Sequence, residues 1–176
     1  HRRVQHSDFG CGKRTGIAGF TDWLCHNFYE SGIHKGSYQK ISFMIPNAWG
    51  QYLYQILFPI KDLVDGTWDV GCDADEPYLQ AWHDTNDEMD DLFASRCFSN
   101  QDFFSLLGSR VYYIVSGKFS LTSSRKNRKN GLNPPCIEIL VTDSVYVDVY
   151  AADEKILFAL YDNAINQGFE NIELDG

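Results

Sequence analysis

The C-terminal segment, residues 136–174, changes its hydrophobic period twice, and this pattern constrains the fold more than any other feature of the chain. Apolar and polar residues alternate over residues 136–150 on both sides of Thr142-Asp143-Ser144, which predicts two strands joined by a tight turn. Apolar residues then recur at helical spacing over residues 153–167, and residues 169–174 return to an extended pattern. The sequence therefore predicts a hairpin, a helix and a closing strand, without a recognisable catalytic motif.

The segment before this hairpin mixes extended and helical patterns. Ile41, Phe43 and Ile45 alternate with their neighbours and predict a strand that ends at Pro46. Asn47 is expected to cap a following helix, whose predicted buried stripe consists of Trp49, Leu53, Ile56 and Leu57. The other predicted elements are a short strand at 67–70, helices at 77–94 and 99–107, a long strand at 110–122 and a polar loop at 123–135.

Helix-capping residues support two of these helices. Ser99 followed by Asp102 resembles a capping box, although aspartate imitates the usual glutamate only partly. Asp153 is predicted to cap the last helix at its start, and Gly168 is predicted to end it. These positions bound the helices more sharply than hydrophobic spacing alone.

The predicted elements follow the order β-α-β-α-α-β-β-β-α-β. Several antiparallel strands with helices packed on one face indicate an α+β fold with a mostly antiparallel sheet. Residues 38–176 are predicted to form a single α+β domain. Residues 1–37, which precede the first methionine, Met44, are expected to be an N-terminal extension of uncertain origin with one amphipathic helix. This extension has five basic and three acidic residues, whereas the predicted domain has ten and twenty-one.

Composition and net charge limit the cellular compartment and the kinds of partner that are expected for this chain. The longest apolar runs are only a few residues, far below the roughly 20 residues of a membrane helix, so no membrane span is predicted. Five cysteines without a close pair are typical of free thiols in a reducing cytoplasm, and the protein is predicted to be cytoplasmic. A net charge of −9 argues against nucleic acid as the main ligand, because that binding neutralises phosphates. No cofactor is predicted.

Two segments resemble a known protein family. The first is Ile41-Ser-Phe-Met-Ile-Pro-Asn47 with the helix that follows it, and the second is Val141-Thr-Asp-Ser-Val-Tyr-Val147 with Gly168-Phe-Glu-Asn-Ile172. They resemble a small uncharacterised bacterial family, a domain of unknown function found mainly in Gram-positive bacteria. The resemblance covers about residues 39–174 and is weakest between Asp73 and Arg96. It implies a fold and a bacterial cytoplasmic setting but no activity.

Carboxylates are the most conspicuous chemical feature of the predicted domain. No lysine or arginine occurs between Leu63 and Ser95. Such a region could attract a basic protein surface, hold a hard cation on alternating oxygens such as those of Asp73 and Asp75, or be a solvated face. From Asp69 to Asp91 there are nine carboxylates, namely Asp69, Asp73, Asp75, Glu76, Asp84, Asp87, Glu88, Asp90 and Asp91.

Other patterns carry weaker chemical signals. The glycine-rich residues 10–16 lack the full spacing of a phosphate-binding loop. Cys11, Cys25, His26 and His34 lack the close pairs of a structural zinc site, and the basic residues 125–129 are typical of an exposed loop. His83 and Cys97 could form a nucleophilic pair only if the fold brought them together.

Tyr146 and Tyr150 share one face of the predicted hairpin with Asp148, and this face is either solvent-facing or a contact surface. The leading hypothesis is a non-catalytic protein-interaction module, immunity or antitoxin-like in one form, that binds a basic partner. The predicted partner-binding residues are Asp73, Asp75, Glu76, Asp84, Asp87, Glu88, Asp90, Asp91, Tyr146 and Tyr150. The alternative is a small hydrolase or metal-dependent enzyme that uses clustered carboxylates.

Overall fold

The structure is a computed structural model that describes residues 39–71, 80–85, 88–93, 95–124 and 135–175. For residues 80–85 and 88–91 it describes the path of the backbone. The chain divides into two units, His1–Gly36 and Ser37–Gly176, and all described residues belong to the second unit. The assignment of residues 1–37 to an extension, with its zinc and phosphate-loop patterns, lies outside the described residues and stays a prediction.

The described part of the chain contains nine strands, three α-helices and one short 3-10 helix. The strands are β1 (Gln39–Met44), β2 (Gly66–Val70), β3 (Gln80–Thr85), β4 (Glu88–Asp91), β5 (Cys97–Ser99), β6 (Tyr112–Ser123), β7 (Ile137–Thr142), β8 (Tyr146–Ala151) and β9 (Glu170–Asp175). The helices are α1 (Tyr52–Leu57), the 3-10 turn Phe58–Ile60, α2 (Asn100–Ser109) and α3 (Glu154–Gln167).

All pairings between these strands are antiparallel, in the order β4-β3-β6-β7-β8-β1-β9. The long strand β6 organises the sheet, because β3 pairs with its first half, β2 pairs with its second half, and β7 lies along its other edge. Strand β5 extends the sheet beyond β2. The predicted α+β class is therefore confirmed at this level.

The core lies where the helices meet the apolar residues of the central strands. The hairpin β7–β8 pairs Ile139 with Val149 and Val141 with Val147, and all four side chains are buried. Helix α3 contacts β1, β8 and β9, and α2 contacts β2 and β5. The buried helical residues are Leu53, Ile56, Leu57, Phe103, Phe104, Leu107, Ile156, Leu157, Leu160 and Ala164.

The predicted caps are present. The Ser99 hydroxyl accepts a hydrogen bond from the Asp102 amide at 3.1 Å, at the start of α2. The Asp153 carboxylate accepts one from the Lys155 amide at 2.9 Å, at the start of α3. Gly168 ends α3 in the left-handed conformation, with φ 73°.

The helix predicted at residues 77–94 is wrong, because this segment contains the antiparallel strands β3 and β4. The register pairs Thr85 with Glu88, so the ends of the two strands lie opposite each other. Strand β3 also pairs with the first half of β6. The prediction rested on the helical spacing of four apolar residues, Leu79, Trp82, Met89 and Phe93. The hydrogen bonds offered by that long neighbour outweigh this spacing, because tertiary context overrides weak local patterns.

The start of the first helix also differs from the prediction. Gly50 and Tyr112 exchange backbone hydrogen bonds of 3.0 Å, which holds residue 50 in an isolated bridge to β6 and delays the start of α1 to Tyr52. Asn47 therefore does not cap the helix; its side-chain oxygen accepts a hydrogen bond from the Tyr113 hydroxyl. Trp49, predicted to be buried, is 44% exposed.

Asn100 joins α2 to the chain around it through three hydrogen bonds. Its Nδ2 donates to the carbonyl oxygens of Lys61 at 3.2 Å and Val64 at 3.0 Å, and its Oδ1 accepts from Trp68 Nε1 at 2.9 Å. The side chain therefore fixes the turn after the 3-10 helix against the buried tryptophan.

We expect Asn100→Ala to lower the free energy of unfolding by about 2–3 kcal/mol, because it leaves buried donors and acceptors without their partners. Urea unfolding followed by circular dichroism measures this change. Gln101→Ala is the matched control, because Gln101 is the next residue of the same helix and is exposed. An equal effect of both substitutions would contradict the role given to Asn100.

Candidate functional site

The predicted acidic partner-binding region is only partly covered by the structure. Asp73, Asp75, Glu76 and Asp87 lie outside the described residues. The backbones of Asp84, Glu88, Asp90 and Asp91 lie in β3 and β4, and β4 is the terminal strand at one end of the described sheet. The docking role of these eight residues stays a prediction.

His83 and Cys97 do not come together. His83 pairs with Tyr112 at the beginning of β6, whereas Cys97 pairs with Asp69, which pairs with Ser120 near the end of β6. Eight residues of strand separate these positions, roughly 25 Å. Desolvation and the nearby Asp69 carboxylate raise the pKa of the Cys97 thiol, which disfavours the nucleophilic thiolate.

The buried Val147 and Val149 lie on one face of the sheet, and Tyr146 and Tyr150 lie on the opposite face. Strand register aligns Tyr150 with Glu138 on one side and with Lys40 on the other. The next polar row along the same strands aligns Asp148 with Ser42. The predicted tyrosine face is therefore part of a wider polar face of β6, β7, β8 and β1.

Oppositely charged groups on this polar face contact one another. Lys40 Nζ lies 3.1 Å from Asp148 Oδ1, which also accepts a 2.6 Å hydrogen bond from the Ser42 hydroxyl. Lys118 Nζ lies 3.5 Å from Glu138 Oε2, and the Glu138 side chain is 3% exposed. Each of the two carboxylates thus has a lysine beside it. Around Tyr150 the described lysines therefore contact carboxylates, which does not favour this central part of the polar face as the docking site of a basic partner.

A second acidic surface, which sequence analysis did not identify, lies on α3 and β9. Its six carboxylates are exposed, and Lys155 is the one basic residue between Ala152 and Asp175. None of Asp162, Glu170 and Glu173 forms an ion pair within the described part of the chain. Counting charge along the C-terminal segment would have revealed it. The carboxylates of this acidic α3–β9 surface are Asp153, Glu154, Asp162, Glu170, Glu173 and Asp175.

Large apolar side chains are exposed on the α3 side of the acidic α3–β9 surface, whereas Glu170, Glu173 and Asp175 lie on the other face of β9. Phe158 is 47% exposed and Ile165 is 50% exposed, and a spacing of seven residues places them on the same side of α3. Leu174 on β9 is 41% exposed. An exposed acidic surface that also presents apolar side chains is suited to binding another protein.

A separate, open and polar groove of about 610 Å³ lies elsewhere on the described part of the domain. It lies between the turn after α1 and the outer side of α2, and Asp62 and Asp65 on it are exposed. Among the described residues there is no group of three histidine, cysteine or acidic side chains that could hold a metal ion. Its lining includes Tyr54, Lys61, Asp62, Asp65, Gln101 and Ser105.

No helix in the described ranges is both long enough and apolar enough to cross a membrane.

Comparison with known proteins places the chain in a family. A family model described as a protein of unknown function (DUF2691) matches residues 38–175. The uncharacterized protein YncE of Bacillus subtilis (strain 168) is 24% identical over 141 residues, which cover 76% of this chain and 88% of that protein. No solved structure matches the chain. The resemblance inferred from the sequence is confirmed, and the chain belongs to this family of proteins of unknown function.

Proposed function

We propose that this domain is a non-catalytic protein-interaction module that binds a basic partner. The observation that carries the proposal is the acidic α3–β9 surface, where six exposed carboxylates accompany one lysine. Opposite potentials raise the rate of encounter and select partners by charge. Neutralisation of a basic toxin by an immunity or antitoxin-like protein is one form of such a function.

Exposed apolar side chains support protein binding over charge attraction alone. Phe158, Ile165 and Leu174 would lose contact with water when a partner covers them, and burial of apolar area stabilises a complex by roughly 25 cal/mol per Å². Glu154 and Asp162, which lie beside Phe158 and Ile165 on the same helix, would then belong to the polar rim that is typical of interfaces. The partner is therefore expected to combine basic and apolar side chains.

The acidic region predicted from the sequence belongs to the same proposal. Asp84, Asp87 and Asp90 would add a second negatively charged surface, near β3 and β4. Strands β4 and β9 are at opposite ends of the described strand order. Replacing the carboxylates at one end at a time by lysine therefore shows which of the two surfaces binds the partner.

Affinity capture from the native bacterium tests the proposal. The bait is the full chain in three forms: the wild type, the triple variant Glu170→Lys, Glu173→Lys, Asp175→Lys, and the triple variant Asp84→Lys, Asp87→Lys, Asp90→Lys. We expect the wild type to retain a basic protein whose recovery falls at least about tenfold, or by about 1.4 kcal/mol in binding free energy, in the β9 variant.

A matched control variant distinguishes the effect of a changed net charge from the effect of changing the carboxylates of the proposed surface. Replacing Asp62, Asp102 and Asp143 by lysine changes the net charge by the same amount on exposed positions outside α3 and β9. We expect that control to retain the partner. Equal recovery with the wild type and both surface variants would eliminate the proposed function.

A further inference from the structure

Strand β9 ends the described sheet opposite to β4, and its only neighbour among the described strands is β1. Five of its six residues are exposed. A terminal strand presents backbone donors and acceptors that can pair with an added strand.

The register identifies which backbone groups of β9 point outward. The Ile45 amide donates to the Val145 carbonyl at 2.9 Å, on the β8 side of β1. The backbone amide and carbonyl groups of successive residues in a strand point to opposite sides. The odd-numbered residues of β1 therefore hydrogen-bond to β8, whereas Lys40 and Ser42 hydrogen-bond to β9. Their partners in β9 are Asp175 and Glu173.

It follows that the amide and carbonyl groups of Ile172 and Leu174 point away from β1, toward the outer edge. Asn171 precedes them at φ 52°, next to the register shift between Ser42 and Met44. This irregularity leaves residues 172–175 as the regular part of the edge, with four outward backbone groups. An added strand would pair with these groups.

The side chains of β9 divide by face. Leu174 pairs with the buried Ile41 and therefore lies on the helix-covered face, whereas Glu173 and Asp175 pair with Ser42 and Lys40 on the polar face. In a strand added beside β9, every second side chain would lie next to the apolar Leu174, and the side chains between them would lie next to the carboxylates of Glu173 and Asp175. A segment that alternates basic and apolar residues is complementary to both faces.

A second copy of this chain fits the edge poorly. Pairing β9 with itself would bring Glu170, Glu173 and Asp175 of both copies onto the same face, and like charges on adjacent strands are destabilising. The same charges attract lysine and arginine. Charge thus selects against self-association and for a basic segment.

We infer that β9 is a strand-addition site for an extended segment of the partner in which basic and apolar residues alternate. This inference rests on the proposed function and specifies how the partner binds part of the acidic α3–β9 surface. The backbone groups of Ile172 and Leu174 supply hydrogen bonds, and the carboxylates of Glu173 and Asp175 supply charge selectivity.

Synthetic peptides of about eight residues, the length of an ordinary strand, test the inference on the full chain. One peptide alternates lysine and valine, and the other contains the same residues in two blocks, so both have the same charge. We expect the alternating peptide to bind at least about tenfold more tightly in a calorimetric titration. It should also slow amide exchange at residues 172 and 174 at least about tenfold, measured by NMR.

Two variants of one residue separate backbone pairing from side-chain contact. Leu174→Pro removes an outward amide that β1 does not use, whereas Leu174→Ala keeps that amide. We expect the proline variant to bind the alternating peptide about tenfold more weakly and the alanine variant less than about threefold more weakly. Circular dichroism of both variants checks that the fold is kept.

Three results would overturn the inference. They are equal binding of the two peptides, equal binding by the proline and alanine variants, and dimerisation of the chain through β9. Each of these leaves the proposed function standing if charge reversal still abolishes partner capture. Unchanged capture by the charge-reversed baits would instead remove the proposed function itself.

Discussion

Replacing Trp68 by alanine will lower the free energy of unfolding by about 3–5 kcal/mol, the range typical of removing a large aromatic side chain from a core. Trp68 is fully buried, and its ring stacks on Phe103 at 4.6 Å between centroids and meets Phe104 edge to face. It also donates a hydrogen bond to Asn100. The substitution removes all of these contacts and leaves a cavity between β2 and α2.

Urea unfolding followed by circular dichroism measures this loss. Trp49→Ala is the matched control, because it deletes the same side chain at a position that is 44% exposed. We expect the control to cost less than about 1 kcal/mol, as is usual for surface substitutions. Similar losses in the two variants would show that Trp68 is not a central core residue.

Gly66→Ala will destabilise the domain by about 3 kcal/mol, near the upper end of the usual cost of overpacking. A Cβ at Gly66 would lie 2.1 Å from the Thr122 carbonyl oxygen, which belongs to the backbone of β6. A side chain could rotate away from such a clash, whereas a backbone carbonyl in the middle of the sheet cannot. Strands β2 and β6 would have to separate.

Gly168→Ala is the control for this substitution. Gly168 has φ 73°, and a Cβ there would meet no atom within 4 Å. Its cost is therefore conformational only, about 1 kcal/mol. The difference between the two melting temperatures checks the prediction, and a larger effect at Gly168 would contradict the close approach of β2 to β6.

The C-terminal half of the fold was predictable because its local signals agree with its tertiary contacts. In the hairpin β7–β8, the alternation that indicates strands also places Val147 and Val149 in the core. The caps at Asp153 and Gly168 bound a helix whose apolar face is buried. Local pattern and packing therefore lead to the same structure there.

Residues 77–94 were mispredicted because their structure depends on a distant strand. Helical spacing of Leu79 and Trp82 is a local signal, whereas β3 exists by pairing with β6, about thirty residues later in the chain. Similarly, the delayed start of α1 follows from the bridge between Gly50 and Tyr112. Neither contact can be read from neighbouring residues.

The sequence predicted that the candidate site is acidic, but it did not predict the position of the acidic α3–β9 surface. Composition indicated an acidic interaction surface, and the predicted residues between Asp73 and Asp91 stay a prediction. The acidic α3–β9 surface depends on knowing that β9 is a terminal strand, which is a property of sheet order. Similarly, Tyr150 lies beside Lys40 only because β8 pairs with β1, which is more than a hundred residues earlier in the chain.

Hydrogen–deuterium exchange of the full chain, measured with and without the captured basic partner, tests the proposed interaction most directly. We expect binding to slow exchange in residues 154–175, with the strongest effect in β9, and to leave exchange in the groove lined by Asp62 and Ser105 unchanged. Slowed exchange confined to that groove, or to the central polar face around Lys118 and Glu138, would contradict the proposed interaction.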